Sequence, residues 1–314
     1  MTKQWLRKCV VKIGIGSDQF DTADLRVRFK VVRATSQRLH SADIIITNLS
    51  QQSSNRIVKE GTSISLEAGY EEGYGLLFKG QTIQRAAGRE SPTDTYLRII
   101  AQTGDQANNE AFISKTLAAG HTFRDQVDAV LEVLKPYGVT AGAIADFGAQ
   151  VMPGARVLFG AARDVLRDIS TSTGSSWWIE NDKLNVVKND KALPGEAFVL
   201  NSSTGLIGRA QQQIDGIMAR CLLNPKLKPG ALVKIDQSSI DLAPFGLNVS
   251  DQLKNEFMKE MVATDGFYKI IAQEDHGDTR GGPWYTDLVC ERADGKGTVP
   301  LNVGQRNITS QIEG

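Results

Sequence analysis

Between Leu25 and Val31 the chain alternates without a break: Leu-Arg-Val-Arg-Phe-Lys-Val. A period of two puts Leu25, Val27, Phe29 and Val31 on one face of a strand and the basic residues on the other. Such a segment belongs on a sheet with one buried side. The same reading extends along the first hundred positions. Residues 8–15 are β-rich, residues 41–47 carry three consecutive isoleucines, and strands are predicted again at 63–68, 75–82 and 95–102. A glycine-rich turn at 70–75 joins two of them. Asn48-Leu49-Ser50 punctuates, with Ser50 as N-cap of a short helix through Val58 that Gly61 stops. Six or so short strands separated by turn residues point to a small barrel or sandwich.

The period changes after residue 103. Phe123, Val127, Val130, Leu131 and Leu134 recur at helical spacing behind Thr122 and Asp125, a capping box with Asp in place of Glu or Gln. Pro136 and Gly138 end that helix. Burying its five apolar side chains contributes about 10 kcal/mol before entropy costs. A second helix is predicted over 161–172, with Ala162, Val165, Leu166 and Ile169 on one stripe and Gly174 after its end. Trp177-Trp178-Ile179-Glu180 and residues 183–188 read as a hairpin turned by Asn181-Asp182. Strands return at 198–201, 213–222, 232–235, 267–274 and 284–292, with a short helix or ordered loop at 249–261. The expected fold is β-rich α+β. Two small β-barrel domains, 1–103 and 196–314, flank an α/β insertion domain at 104–195. No repeat shows in residue identity, which is what two diverged barrels would leave.

Composition narrows the function classes. Lys+Arg and Asp+Glu balance at 36 each, whereas a nucleic-acid protein normally shows a basic excess. The charge is uneven, however. Residues 1–40 carry nine Lys/Arg against three Asp, and residues 265–294 carry seven acids against three bases. Two readings stand: attraction between subunits or neighbouring rings, or two solvated faces. Three distant cysteines without a CxxC pair indicate neither a zinc knuckle nor a disulfide framework. Residues 1–11 hold no apolar core of a signal peptide, and no stretch approaches the roughly 20 apolar residues of a membrane span. Assembly in a cytoplasm without a membrane anchor is expected.

The densest polar cluster runs from Glu274 to Gly282 and includes Asp275, His276 and Asp278. Gly277, Gly281, Gly282 and Pro283 make it read as a solvated hairpin loop. Neighbours on one loop rarely converge on a metal without distant partners, and His40 and His121 lack a ligand-spaced companion. Gly14-Ile15-Gly16 lacks the third glycine and the helix of a phosphate loop. Neither a nucleophile elbow nor a triad is visible, and Glu60, Glu71 and Glu72 read as exposed acids. No catalytic residue, metal ligand or cofactor is therefore assigned. Trp177-Trp178 has two readings: an exposed aromatic that anchors a partner, or one ring in a core and the other covering its edge. Phe267, Tyr268, Trp284 and Tyr285 are expected to pair across the last hairpin.

Three sets of residues carry a resemblance. Ile46-Thr47-Asn48-Leu49-Ser50, Gly61, Ser65-Leu66-Glu67-Ala68-Gly69-Tyr70 and Leu77-Phe78-Lys79-Gly80 resemble the first barrel of phage tail baseplate hub proteins. Gly120-His121-Thr122-Phe123, Pro153-Gly154, a helix start at 160–166 and the tryptophan strand resemble their middle. Residues 203–208, Leu222-Leu223-Asn224-Pro225 and Leu227-Lys228-Pro229-Gly230 resemble the stretch before their second barrel. The likeness spans roughly residues 5–292. It implies a virion structural protein without enzymatic activity: a homotrimer whose paired barrels form a pseudo-sixfold ring, with the insertions outside. The implied partners are the tail tube protein above, the spike protein below, other baseplate proteins, and DNA that transits without being read. The fused muramidase or spike extension of larger members finds no counterpart in these residues, so no lytic activity is carried over. Gly205, Leu206, Ile207 and Gly208 form an apolar run between glycines. They read either as a loop or strand at a domain or subunit junction, the candidate interface, or as an internal turn. Competing readings are a peptidoglycan-acting hydrolase built on the 274–278 segment and a distal ring protein of a non-contractile tail.

Overall fold

The computed structural model describes residues 6–14, 20–22, 25–50, 62–213, 216–236, 239–241 and 265–293. The helix expected through Val58, the segment 249–261, and Ile15, Gly16, Glu60 and Gly61 lie outside them. The first part of the chain gives strands β1 (Arg7–Ile13), β2 (Phe20–Asp21), β3 (Val27–Ala34), β4 (Ser41–Thr47), β5 (Ser63–Tyr70), β6 (Gly75–Arg89) and β7 (Thr95–Gln102). Val27, Phe29 and Val31 of β3 are buried, as the alternation requires, with Leu25 packed against the same core. Two motif glycines have steric causes. A Cβ on Gly80 would lie 2.4 Å from the Gln102 carbonyl oxygen of β7, and one on Gly69 would lie 2.7 Å from Tyr74 Cα. Asn48 sits at φ 59 and accepts a 2.9 Å bond from the Thr95 amide, tying the turn after β4 to the start of β7.

The middle of the chain gives helix α1 (Asp105–Glu110), β8 (Phe112–Leu117), α2 (Phe123–Leu134), β9 (Thr140–Ile144), β10 (Arg156–Ala161), α3 (Ala162–Thr173), β11 (Ser175–Glu180) and β12 (Lys183–Lys188). The capping box is complete: the Thr122 hydroxyl accepts from the Asp125 amide, and the Asp125 carboxylate accepts from the Thr122 amide. A 3₁₀ turn carrying Pro136 and a left-handed Gly138 close α2, and a left-handed Gly174 closes α3. Asn181 and Asp182 both adopt positive φ (49° and 62°), the two-residue turn that suits the twist of a hairpin. Val127, Val130, Leu131 and Leu134 of α2 meet Ala162, Val165, Leu166 and Ile169 of α3 in one apolar cluster. Trp177 belongs to it. Trp178 is equally buried, and its ring lies 3.1 Å from where a Cβ on Gly230 would stand. Neither ring is an exposed anchor. Residues 112–117 and 156–161, where no strand is expected from the sequence, form a two-stranded ribbon.

The last part gives β13 (Phe198–Leu200), β14 (Leu206–Gln213), β15 (Gly216–Leu222), β16 (Leu232–Ile235), β17 (Ile240–Asp241), β18 (Phe267–Asp278) and β19 (Trp284–Arg292). These strands and those of the first part share one curled sheet, in the order β17-β14-β15-β19-β18-β3-β4-β7-β6-β5-β1-β2, with β16 also on β18 and β13 on β16. The weld is the antiparallel pair β3–β18, which runs from Ala34 against Ala272 to Arg28 against Asp278. The chain is thus β-rich, with its two ends joined in a half-barrel. One apolar cluster fills the curl of the first part and includes Trp284 of β19; another lies among β14, β15, β16, β18 and β19. The aromatics of the last hairpin do not pair with one another, because Tyr268 stands opposite Arg292 and Trp284 opposite Gly277. Tyr268 fills the second cluster and Trp284 packs edge-on against Phe29, 5.6 Å between ring centres.

Candidate functional site

The polar cluster at 274–278 is strand, which corrects the expected solvated loop. β18 runs to Asp278, and only the residues after it turn back into β19. Glu274, Asp275 and Asp278 are buried because β18 lies between two long strands, β3 and β19. Gly277 is required there, since a Cβ would stand 2.2 Å from the Phe29 ring. The turn is gripped from the far end of the sequence: the Arg7 guanidinium donates to the carbonyl oxygens of Asp278, Gly281 and Gly282 and lies over Trp284.

Alternation along β18 sends Asp275 to one face and Glu274, His276 and Asp278 to the other. On the Asp275 face the carboxylate accepts from Arg33 Nη2 at 2.8 Å, from the Thr286 hydroxyl at 2.7 Å and from Gln273 Nε2 at 3.3 Å. Arg33 and Asp275 are both fully buried. The guanidinium also reaches Glu180 of β11, Nη1 to Oε1 3.5 Å, so one arginine binds the α/β unit to the sheet. His40 is buried beside this group with Nε2 2.9 Å from the Ala34 carbonyl oxygen. Burial holds its pKa below the ordinary 6.5, with Glu180 and Asp275 opposing the shift and Arg33 reinforcing it. Around this joint Lys79 pairs with Asp182 at 2.6 Å, and Lys269 donates to the Asn189 carbonyl at 2.5 Å.

The opposite face carries a belt of paired charges across six neighbouring strands. On β15 and β19, Arg220 forks onto Asp287 at 2.7 and 3.1 Å, its guanidinium 4.2 Å from the centre of the Tyr285 ring. Glu274 of β18 meets Lys30 of β3 and lies 2.9 Å from His276 Nε2. Arg98 of β7 forks onto Asp43 of β4 with contacts of 2.6 to 3.1 Å, and Arg28 of β3 forks onto Glu90 at 2.8 and 2.6 Å. Arg26 does the same to Asp278, whose carboxyl its hydrogen bonds hold below the ordinary range. Part of the uneven charge of the sequence is matched within the chain: Arg26, Lys30 and Arg33 of the basic first segment pair with Asp278, Glu274 and Asp275 of the acidic last one.

This arrangement offers little chemistry. Glu274 and Asp275 leave opposite faces of one strand, each already bound to a cation, and do not converge on a shared substrate. Among the described residues no group of His, Cys, Asp or Glu is placed to hold a metal ion. Cys9, Cys221 and Cys290 are buried and form no disulfide, and burial pushes the thiols of Cys221 and Cys290 well above the ordinary range. No helix among the described residues is long and apolar enough to cross a membrane.

The candidate interface falls at the start of β14. Gly205 (φ 108°) and Leu206 are buried, while Ile207 and Gly208 (φ 70°) are exposed. Asn201 folds the approach by accepting from the amides of Ser203 and Thr204. β14 pairs with β15 on one side, irregularly between Ile207 and Gln211, and with β17 only at Ala210 and Gln211 on the other. Residues 206–209 thus keep an edge without a strand among the described residues. So does β1, whose second partner β2 reaches only Lys12 and Ile13.

The profile of the baseplate hub gp41 family matches residues 8–243. The chain belongs to this family. Membership makes it a structural component of the phage tail baseplate and places it in the virion. A search of curated protein sequences returns no match. Solved structures share the fold at low identity. The tail protein of Neisseria meningitidis MC58 matches with a TM-score of 0.60 at 12% identity, over 93% of this chain and 98% of that one. The 43 kDa tail protein of prophage MuSo2 from Shewanella oneidensis gives 0.53 at 10%, over 93% and 100%. Prophage tail protein gp18 of Listeria monocytogenes EGD-e gives 0.53 at 9%, over 98% and 100%.

Proposed function

We propose that this hub protein forms a homotrimeric ring that joins the tail tube to the central spike and lets DNA pass. In this reading residues 1–103 and 196–314 are two diverged small β-barrels. Three copies then present six similar barrels to a sixfold tube, and residues 104–195 project outward. The observation that carries it, beside family membership, is the pair of sheet edges, at β1 and at residues 206–209, that no strand among the described residues fills. Exposed edges template pairing with another chain, and two different edges on one subunit favour a head-to-tail contact that closes into a ring. The purified chain, alone or with its spike partner, is expected to scatter light as a trimer of about 103 kDa, three copies of 34.2 kDa. Ile207→Asp is expected to leave folded monomers. A chain that stays monomeric under both conditions overturns the reading. The hydrolase alternative gains no support from Glu274 and Asp275, which face apart.

A further inference from the structure

The two faces of the weld between β3 and β18 differ in what they carry. One holds the two large apolar clusters and the Arg33–Asp275–Glu180 joint to the α/β unit. The other carries a small apolar cluster around Met218 and Val289 and meets the α/β unit at one end, where Gln106 bonds Gln81 and Asp182 pairs with Lys79; between these its charged residues are matched pair by pair from β15 to β7. The proposed ring has this sheet as its wall. Each α/β unit brings two helices of 12 residues, about 18 Å long. If the joint face looked toward the ring axis, three such units would crowd the channel. The belt face is the one that leaves the channel open.

We infer that the belt face lines the channel and that its pre-paired charges keep a passing polyanion from binding. Free lysines and arginines hold phosphates by releasing counterions, which makes a duplex stick. Beside a guanidinium forked onto a carboxylate, as Arg98 on Asp43 and Arg28 on Glu90, the carboxylate repels an incoming phosphate and brings the local charge to zero, so few counterions are there to be released. The sheet then presents a polar, neutral wall. Phe112, Val157 and Phe159 expose their apolar side chains on the β8–β10 ribbon of the α/β unit, and Ile207, opposite Arg220, exposes one at the margin of the belt. The inference rests on the ring reading, and its test keeps the two apart.

The decisive experiment is a density map of the ring in assembled tails, paired with DNA binding by the purified ring. In the map, Lys30, Asp43 and Arg98 are expected at the lumen. A ring with this face turned outward or against another protein overturns the inference and leaves the hub reading intact. A chain that forms no ring defeats both. For binding, the probe is a mixed-sequence double-stranded DNA fragment. The wild-type ring is expected to ignore it at physiological salt. Asp43→Asn with Glu90→Gln is expected to bind it, with about a tenfold loss of that binding between 50 and 200 mM salt for two freed cations. A matched change on the α/β unit, Asp128→Asn with Glu132→Gln, frees Arg124 and Lys115. Equal binding by that control, or none by the belt variant, overturns the inference.

Discussion

The α/β unit and the β3–β18 weld are held together by opposite means. The unit is closed by apolar contact between two capped helices and a hairpin, and most of its stabilising residues lie within a few tens of positions of one another. The weld joins residues 242 apart in sequence, and at its centre sits a fully buried arginine–aspartate pair with a second carboxylate from the unit itself. Apolar packing tolerates modest rearrangement. A buried ion pair tolerates very little, because each charge costs several kcal/mol to bury and is compensated only by partners in the right place. The difference suggests a division of labour: oil makes the unit stable, and the charged joint fixes how it sits on the sheet.

The largest expected effect tests the joint. Arg33→Met leaves Asp275 and Glu180 buried without their cation and is expected to cost about 3–5 kcal/mol by urea denaturation. Replacing all three charges with apolar side chains (Arg33→Met, Asp275→Leu, Glu180→Met) is expected to return most of that loss; a triple variant as unstable as the single one would break the comparison. Next, Leu166→Ala opens a cavity in the unit's core and is expected to cost about 2–5 kcal/mol. The weld should stay intact, so hydrogen exchange in β18 should remain slow while α3 loses protection. Thr122→Ala removes the cap of α2 at about 1 kcal/mol, read as a lower midpoint with an unchanged slope. The last prediction is a slope against pH. His40 has a folded pKa below its ordinary 6.5, so the unfolded chain takes up the proton first. Its contribution is complete above 6.5 and is lost as pH falls below it. His40→Gln is expected to flatten stability over that window; an unchanged profile would place the acid sensitivity in another group.

What was legible in the sequence follows the same division. Local signals were read correctly: the Thr122–Asp125 box, the glycines after both helices, the Asn181-Asp182 turn, and the bounds of β4, β7, β16 and β19. Each depends on residues a few positions apart. The ribbon of β8 and β10 was missed because it turns apolar residues to solvent, so no half-buried pattern marks it. The weld was missed for a deeper reason. Glu274, Asp275, Gly277 and Asp278 look like a turn until Arg33, Lys30, Phe29 and Arg26 are set beside them. The candidate interface at 205–208 was recognisable as glycine-bounded, but its open edge depends on how far β17 reaches.

The grip of Arg7 on the turn after β18, and the seat of β3 against it, set a schedule for synthesis. At roughly 5–20 residues per second, a ribosome needs more than ten seconds to carry the nascent chain from Arg33 to Asp275. Throughout that interval β3 has one hydrogen-bonding flank vacant and a cation waiting for its carboxylate. On a crowded polysome the nearest β18 belongs to another copy, so exchange of this strand between chains competes with folding at home. Slower translation, or a higher density of ribosomes on the message, would favour the swapped product.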